Sequence, residues 1–265
     1  MTQLLADRYE IQQELGRQTG RRTFLARDRQ TNQQVVIKLL LLGEDFEWQD
    51  LKLFEREAAT LKTLEHPAIP RYLDYLDLDL EEGKGFALVQ TYVEGRSLED
   101  HLAVGRTFSE ADVKQLAEAL LEILIYLHSQ ESPVIHRDIK PSNILLGDRS
   151  GNSVGQVHLV DFGSVQTVAA QEGGTITVVG TYGYMPPEQF GGRVTSASDL
   201  FSLGATLIFL ITGRHPTELP QTDFQIRFRP LAQVSEPFAQ WLEQMTAPAL
   251  SQRFATAEEA LKTLH

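Results

Sequence analysis

The chain reads as an α+β protein in two lobes, an N-terminal five-stranded antiparallel sheet with one helix and then a mainly helical part. Three observations predict this. Short apolar runs alternate with turn residues as far as Gln90. One stretch of apolar residues at helical spacing interrupts them, and after Gly95 the pattern turns helical.

Taken in order, Tyr9 to Leu15, Thr23 to Asp28 and Gln34 to Leu41 are predicted as three antiparallel strands, broken at Gly16 to Gly20 and at Thr31-Asn32. From Trp48 to Leu64, the residues Leu51, Phe54, Ala58, Leu61 and Leu64 recur with helical period, and His66-Pro67 ends the run. Tyr72 to Asp79 and Phe86 to Gln90 supply two further strands across the turn Glu81-Glu82-Gly83. In the second part Ser109 precedes Asp112 as a capping box, and Val113, Leu116, Leu120, Leu124 and Leu127 follow on one face. Leu200 to Ile211 contains Ser202, Gly204 and Thr206, is too short to span a bilayer, and reads as a buried helix. Thr256 before Glu259 marks a capping box for the last helix. The lobe boundary is expected near Thr91 to Gly95, with a ligand cleft between the lobes.

At 265 residues and 42% hydrophobic, the chain has the length of one two-lobed enzyme domain. The absence of cysteine excludes disulfides, thiol catalysis and cysteine-ligated metal, and leaves oxygen ligands for any cation. A reducing, cytoplasmic location is the matching expectation. A formal net charge of -12 disfavours nucleic acid, offers no polybasic patch to a membrane, and favours basic protein substrates. Met1 to Glu10 carries Asp7, Arg8 and Glu10 and reads as neither signal peptide nor transit sequence.

The chemistry concentrates in a few segments. Val35-Val36-Ile37-Lys38 alone is an ordinary buried strand ending in a lysine, and Glu57 alone an ordinary helix residue. Asp161-Phe162-Gly163 alone is an ordinary turn. Their company is harder to explain by packing. Asp138 and Asn143 flank four residues that include Lys140, within His136-Arg137-Asp138-Ile139-Lys140-Pro141-Ser142-Asn143, and Asp161 follows a short strand, Val157 to Val160. From Tyr9 to Leu264 the chain resembles the bacterial serine/threonine protein kinases of the eukaryotic-like superfamily, and Thr181 to Phe190 (TYGYMPPEQF) is closest in character to cyanobacterial members.

The resemblance implies a bilobal protein-kinase-like fold over residues 1–265, with an N-lobe to about residue 90, a hinge at about 91–95 and a C-lobe from about 96. It also implies transfer of the γ-phosphate of Mg-ATP, with Mn2+ as an alternative cation, to serine or threonine hydroxyls of proteins in bacterial signalling. Asp138 and Lys140 are the implied catalytic pair, with Lys38 held by Glu57 to aim at the nucleotide phosphates. Asn143 and Asp161 are the implied cation ligands. Gly16, Arg17, Thr23, Val36, Lys38, Gln90, Tyr92, Val93 and Leu145 are the implied ATP contacts. His136 and Phe162 would stack with Leu61 and Tyr72, Asp199 would anchor the catalytic-loop backbone, and Glu188 would pair with Arg253. Lys140 together with Gly180-Thr181 resembles the serine/threonine branch, Thr181 would contact Asp138 and Lys140, and the presence of Glu188, Arg253 and Asp199 favours protein substrates over small molecules. Thr175 and Thr177 are the expected autophosphorylation sites, with Arg137 placed to receive a phosphate.

The pattern departs from the family in one place. Where Gly-x-Gly-x-x-Gly-x-Val is expected, the chain has Gly16-Arg17-Gln18-Thr19-Gly20-Arg21-Arg22-Thr23, so that Gln18 and Arg21 replace two glycines. Weaker nucleotide affinity is expected from a Cβ near the phosphates, with Arg17, Arg21 and Arg22 available to offset it. Val36 and Thr23 make the adenine slot tighter or more polar, and Gln90 guards its rear. These departures keep open a second implication, a pseudokinase acting as an allosteric or scaffolding partner.

Overall fold

The computed structural model describes residues 4–18, 20–43, 46–80, 83–147, 153–167 and 179–265. The chain forms two compact units, Met1–Val93 and Glu94–His265.

The first unit contains β1 (Leu4–Leu5), β2 (Tyr9–Gln18), β3 (Arg21–Asp28), β4 (Gln34–Leu41), α1 (Trp48–Thr63), β5 (Tyr72–Leu80) and β6 (Gly83–Thr91). The strands make one antiparallel sheet in the order β1-β2-β3-β4-β6-β5. Six strands form where five were expected: Leu4 and Leu5 pair with Glu10 and Tyr9, a two-residue ladder too short to show as alternation. Period-2 burial sorts the side chains. Val35, Ile37 and Leu39 of β4 join Tyr9, Phe24, Ala26, Ala87 and Val89 in one apolar cluster. On the opposite face, Leu40 and Leu88 are fully buried and Phe54 of α1 meets Tyr75 at 5.9 Å between ring centroids. The break at Thr31-Asn32 has a polar cause. The Asp28 carboxylate accepts from the Gln30 amide at 3.0 Å, the Thr31 hydroxyl at 2.9 Å and Arg8 at 2.8 Å, while Asn32 takes a left-handed φ of 61°.

The second unit contains β7 (Arg96–Ser97), α2 (Leu98–Ala103), α3 (Glu110–His128), β8 (Val134–Ile135), β9 (Ile144–Leu146), β10 (Val157–Leu159), β11 (Gln166–Thr167), α4 (Pro187–Phe190), α5 (Ser196–Thr212), β12 (Gln221–Thr222), β13 (Gln225–Ile226), α6 (Glu236–Met245) and α7 (Ala257–Lys262). Ser109 and Asp112 close the expected capping box on α3, whose apolar face is buried against α5, α7 and β10. At α7 the box is half formed. Thr256 accepts from the Glu259 amide, but the Glu259 carboxylate reaches the Ala255 amide instead of that of Thr256. α5 is buried nearly all round, its mostly apolar sequence enclosing Ser198, Asp199, Ser202 and Thr206 as well. Among the described residues no helix is long and apolar enough to cross a membrane.

Candidate active site

In the first unit Lys38 faces away from the apolar cluster because it alternates with Ile37 and Leu39 on β4. Its ammonium pairs with the Glu57 carboxylate on α1, where the glutamate is 3% exposed. A carboxylate so buried needs a charged partner, and the lysine supplies it. Opposite Val36 across β4 and β6 lies Gln90, which is also buried. Tyr92 and Val93 are half-buried at the end of this unit.

The phosphate-covering loop expected between Gly16 and Thr23 is a regular hairpin. Arg17 pairs with Arg22, and Gln18 with Arg21, and Gly20 lies in the turn. Gly20 holds the positive φ, 69°, and neither Gln18 nor Arg21 does. Gln18 and Arg21, where the family has glycines, therefore cost the backbone no strain. The three arginines of this hairpin meet carboxylates. Arg17 and Arg22 each lie 3.0 Å from the Glu14 carboxylate, and Arg21 lies 2.8 Å from Asp50 on α1. Carboxylates of the same unit hold all three.

In the second unit the segment after β8 is fixed from below by α5. The Asp199 carboxylate, fully buried, accepts the His136 amide and the Arg137 amide at 2.9 Å each and meets His128 Nε2 at 3.0 Å. These bonds hold Arg137 at a left-handed φ of 67°. Its guanidinium turns inward, donating through Nη1 to the Gln166 side chain at 2.6 Å and through Nε to the Ser164 carbonyl. His136 is completely buried, which pushes its imidazole below the ordinary pKa and keeps it neutral. Neutral His136 accepts from the Asp138 amide through Nδ1, meets the Val160 carbonyl through Nε2 at 3.2 Å, and packs edge-on against Phe162 at 4.9 Å. Leu61 and Tyr72 belong to the first unit.

With its backbone so held, Asp138 presents its carboxylate to three side chains. Thr181 donates its hydroxyl to Oδ1 at 2.8 Å, and Lys140 approaches Oδ2 at 2.9 Å. Lys140 also donates to Thr181 Oγ1 at 2.7 Å, closing a ring of carboxylate, hydroxyl and ammonium. Asn143 Nδ2 donates to the Asp138 carbonyl at 2.8 Å and to its carboxylate at 3.2 Å. That leaves the amide oxygen as the face Asn143 can offer a cation. Leu159 pairs with Ile144, and the Val160 amide donates to the Asn143 carbonyl at 2.9 Å. The two strands thus bring Asn143 beside the segment that leads into Asp161, itself at φ 64°. A carboxylate and an amide oxygen are the donor set a hard divalent cation takes. Leu145, half-buried on β9, sits across from Ser97 and His158.

Glu188 and Arg253 form a buried ion pair at 2.7 Å. Arg253 also donates to the carbonyls of Ala197, Ala247 and Pro248 and stacks over Phe201. Thr175 and Thr177 lie outside the described residues. Sequence reasoning passed over His128, Gln166 and Gln189, which brace Asp199, Arg137 and the backbone of Val179. Single polar residues within apolar or irregular stretches carry no periodic signal by which to find them.

The protein kinase domain family matches residues 9–264. The chain is similar to serine/threonine-protein kinase B of Synechocystis sp., 38% identical over 80% of this chain and 38% of that protein. It is as similar to serine/threonine-protein kinase PknA of Nostoc sp., 38% identical over 100% of this chain and 48% of that protein. Serine/threonine-protein kinase PrkC of Bacillus subtilis is 31% identical over 80% of the chain and 31% of its own length. The chain spans half or less of the length of these relatives. With a family match over nearly its whole length and the two units that carry the family's motifs, the chain belongs to the protein kinase domain family.

Proposed function

We propose that this chain is a serine/threonine protein kinase that transfers the γ-phosphate of ATP to serine or threonine hydroxyls of proteins, with Mg2+ as the divalent cation. The observation that supports this best is the ring of Asp138, Thr181 and Lys140 with Asn143 bracing the carboxylate. Asp138 orients the attacking hydroxyl and receives its proton, a contribution of about a hundred- to ten-thousand-fold for a positioned base. The substrate oxygen bonds to the γ-phosphorus as the bond to the bridging oxygen of ADP breaks, and Lys140 offsets the charge that spreads over the phosphoryl oxygens. Lys38, fixed by Glu57, is assigned to the α- and β-phosphates, and Val36, Gln90, Tyr92, Val93 and Leu145 to the adenine. Asn143 and Asp161 would hold the cation, which supplies neutralisation of phosphate charge. Glu188, Arg253, Asp199 and His136 keep the loop in shape.

The test is transfer of labelled γ-phosphate from Mg-ATP to the protein itself and to a generic basic protein, beside Asp161→Ala. Label in the wild type and none in the variant is the expected result. No transfer at millimolar ATP with either magnesium or manganese would overturn it in favour of a pseudokinase. Autophosphorylation at Thr175 or Thr177 belongs to the same reading. Mass spectrometry of an active preparation is expected to find phosphate on at least one of them, and both unmodified would reject that part.

A further inference from the structure

Gln189, on the short helix α4, is 2% exposed and makes two hydrogen bonds with one nitrogen. Its Nε2 donates to the Arg137 carbonyl at 2.8 Å and to the Val179 carbonyl at 2.6 Å. The first carbonyl belongs to the residue immediately before Asp138. The second lies two residues before Thr181. One amide group thus ties together the two backbone segments whose side chains meet in the bond from Thr181 to Asp138.

Two further observations show that the tie is selective. Among the described residues the buried Gln189 Oε1 has no hydrogen-bond partner, so the side chain leaves its own acceptor unsatisfied while satisfying two carbonyls. Flipping the amide would set oxygen against both carbonyls, which fixes the assignment. Gly180 has φ 128°, and a Cβ there would stand 2.5 Å from Gln189 Nε2, 2.8 Å from Met185 Cγ and 3.0 Å from the Arg137 carbonyl. Within the second segment the backbone at Gly180 passes so close to the glutamine and to the Arg137 carbonyl that it has no room for a side chain.

We infer that Gln189 is a positioning residue for phosphoryl transfer, setting the separation of Thr181 and Asp138 and so the aim of the carboxylate at an acceptor hydroxyl. It acts through backbone and touches neither nucleotide nor acceptor, so its loss lowers turnover and leaves ATP binding unchanged. A misplacement of about 1 Å is enough for a loss of about a hundredfold. The inference rests on the kinase reading above.

The experiment compares wild type, Gln189→Met, Thr181→Val and the double variant in full-length form, with Asp161→Ala as the inactive control. Gln189→Met keeps the shape and removes the donor. Expected are a ten- to hundredfold fall in kcat by the same order of argument, an unchanged KM for ATP, and a double variant no slower than Thr181→Val alone. Multiplying effects in the double variant, or a kcat within twofold of wild type for Gln189→Met, would overturn the inference. Amide hydrogen exchange provides a readout independent of activity. Gln189→Met is expected to speed exchange over residues 179–184 and leave α5 unchanged. Unchanged exchange there sinks the clamp even if the wild type proves inactive, an outcome that would itself count against the kinase reading alone.

Discussion

At the scale of single residues, the strongest demands come from charges removed from water. Arg253 is fully buried at its guanidinium and pairs with a Glu188 that is nearly so. Arg253→Leu leaves that carboxylate without its partner, and a loss of about 3–5 kcal/mol is expected in urea unfolding. A loss below about 1 kcal/mol would show that Ser198, which also donates to Glu188, suffices. Asp28 provides a pH signature. The Arg8 guanidinium holds its carboxyl well below the usual carboxylate range, with help from the Gln30 amide and the Thr31 hydroxyl. A depressed folded-state pKa contributes stability that is complete above the unfolded value of about 3.9 and disappears as pH falls below it. The gap in urea midpoint between wild type and Asp28→Asn is therefore expected to be widest near neutral pH and to narrow below about pH 4. A constant gap down to about pH 2.5 would contradict the assignment.

At the scale of elements, the hairpin of β2 and β3 makes the sharpest prediction. Restoring the family's glycines, Gln18→Gly with Arg21→Gly, relieves no strain because neither position has positive φ. It adds unfolded-chain entropy and removes the Arg21 tie to Asp50, so thermal stability is expected to fall by about 0.5–1 kcal/mol per site. A gain in stability would show that the hairpin is strained after all. The same hairpin marks the limit of what sequence reveals. β3, β4, α1 and α3 were legible because burial on one face imposes a period that the apolar residues must follow. The family residues Lys38, Asp138, Asn143 and Asp161 were legible because their spacing is fixed by chemistry. Whether Arg21 meets a phosphate or Asp50 is decided by how strand and helix pack within the first unit, and charge alone cannot say. The capping arm of Glu259, displaced to Ala255, escaped notice for a similar reason: a helix entrance can offer two amides to one carboxylate.

At the scale of the whole molecule, a net charge of -12 bears on substrate choice. Attraction of a basic acceptor by this field is screened by salt, so KM for an arginine- and lysine-rich peptide is expected to rise between about 0.05 and about 0.5 M salt. For an uncharged acceptor peptide KM should stay level, and equal behaviour of the two would remove net charge from the account. The contact between Gly180 and Gln189 reaches beyond any one assay, into how this domain can change over time. A side chain at position 180 has no room while residue 189 keeps its amide, and residue 189 cannot shrink without releasing two carbonyls. Each substitution is thus harmful on the background of the other's present form. A smaller residue at 189 would still leave a Cβ at position 180 facing Met185 and the Arg137 carbonyl at a φ of 128°, so the glycine and the glutamine answer separate demands and neither is released by changing the other first.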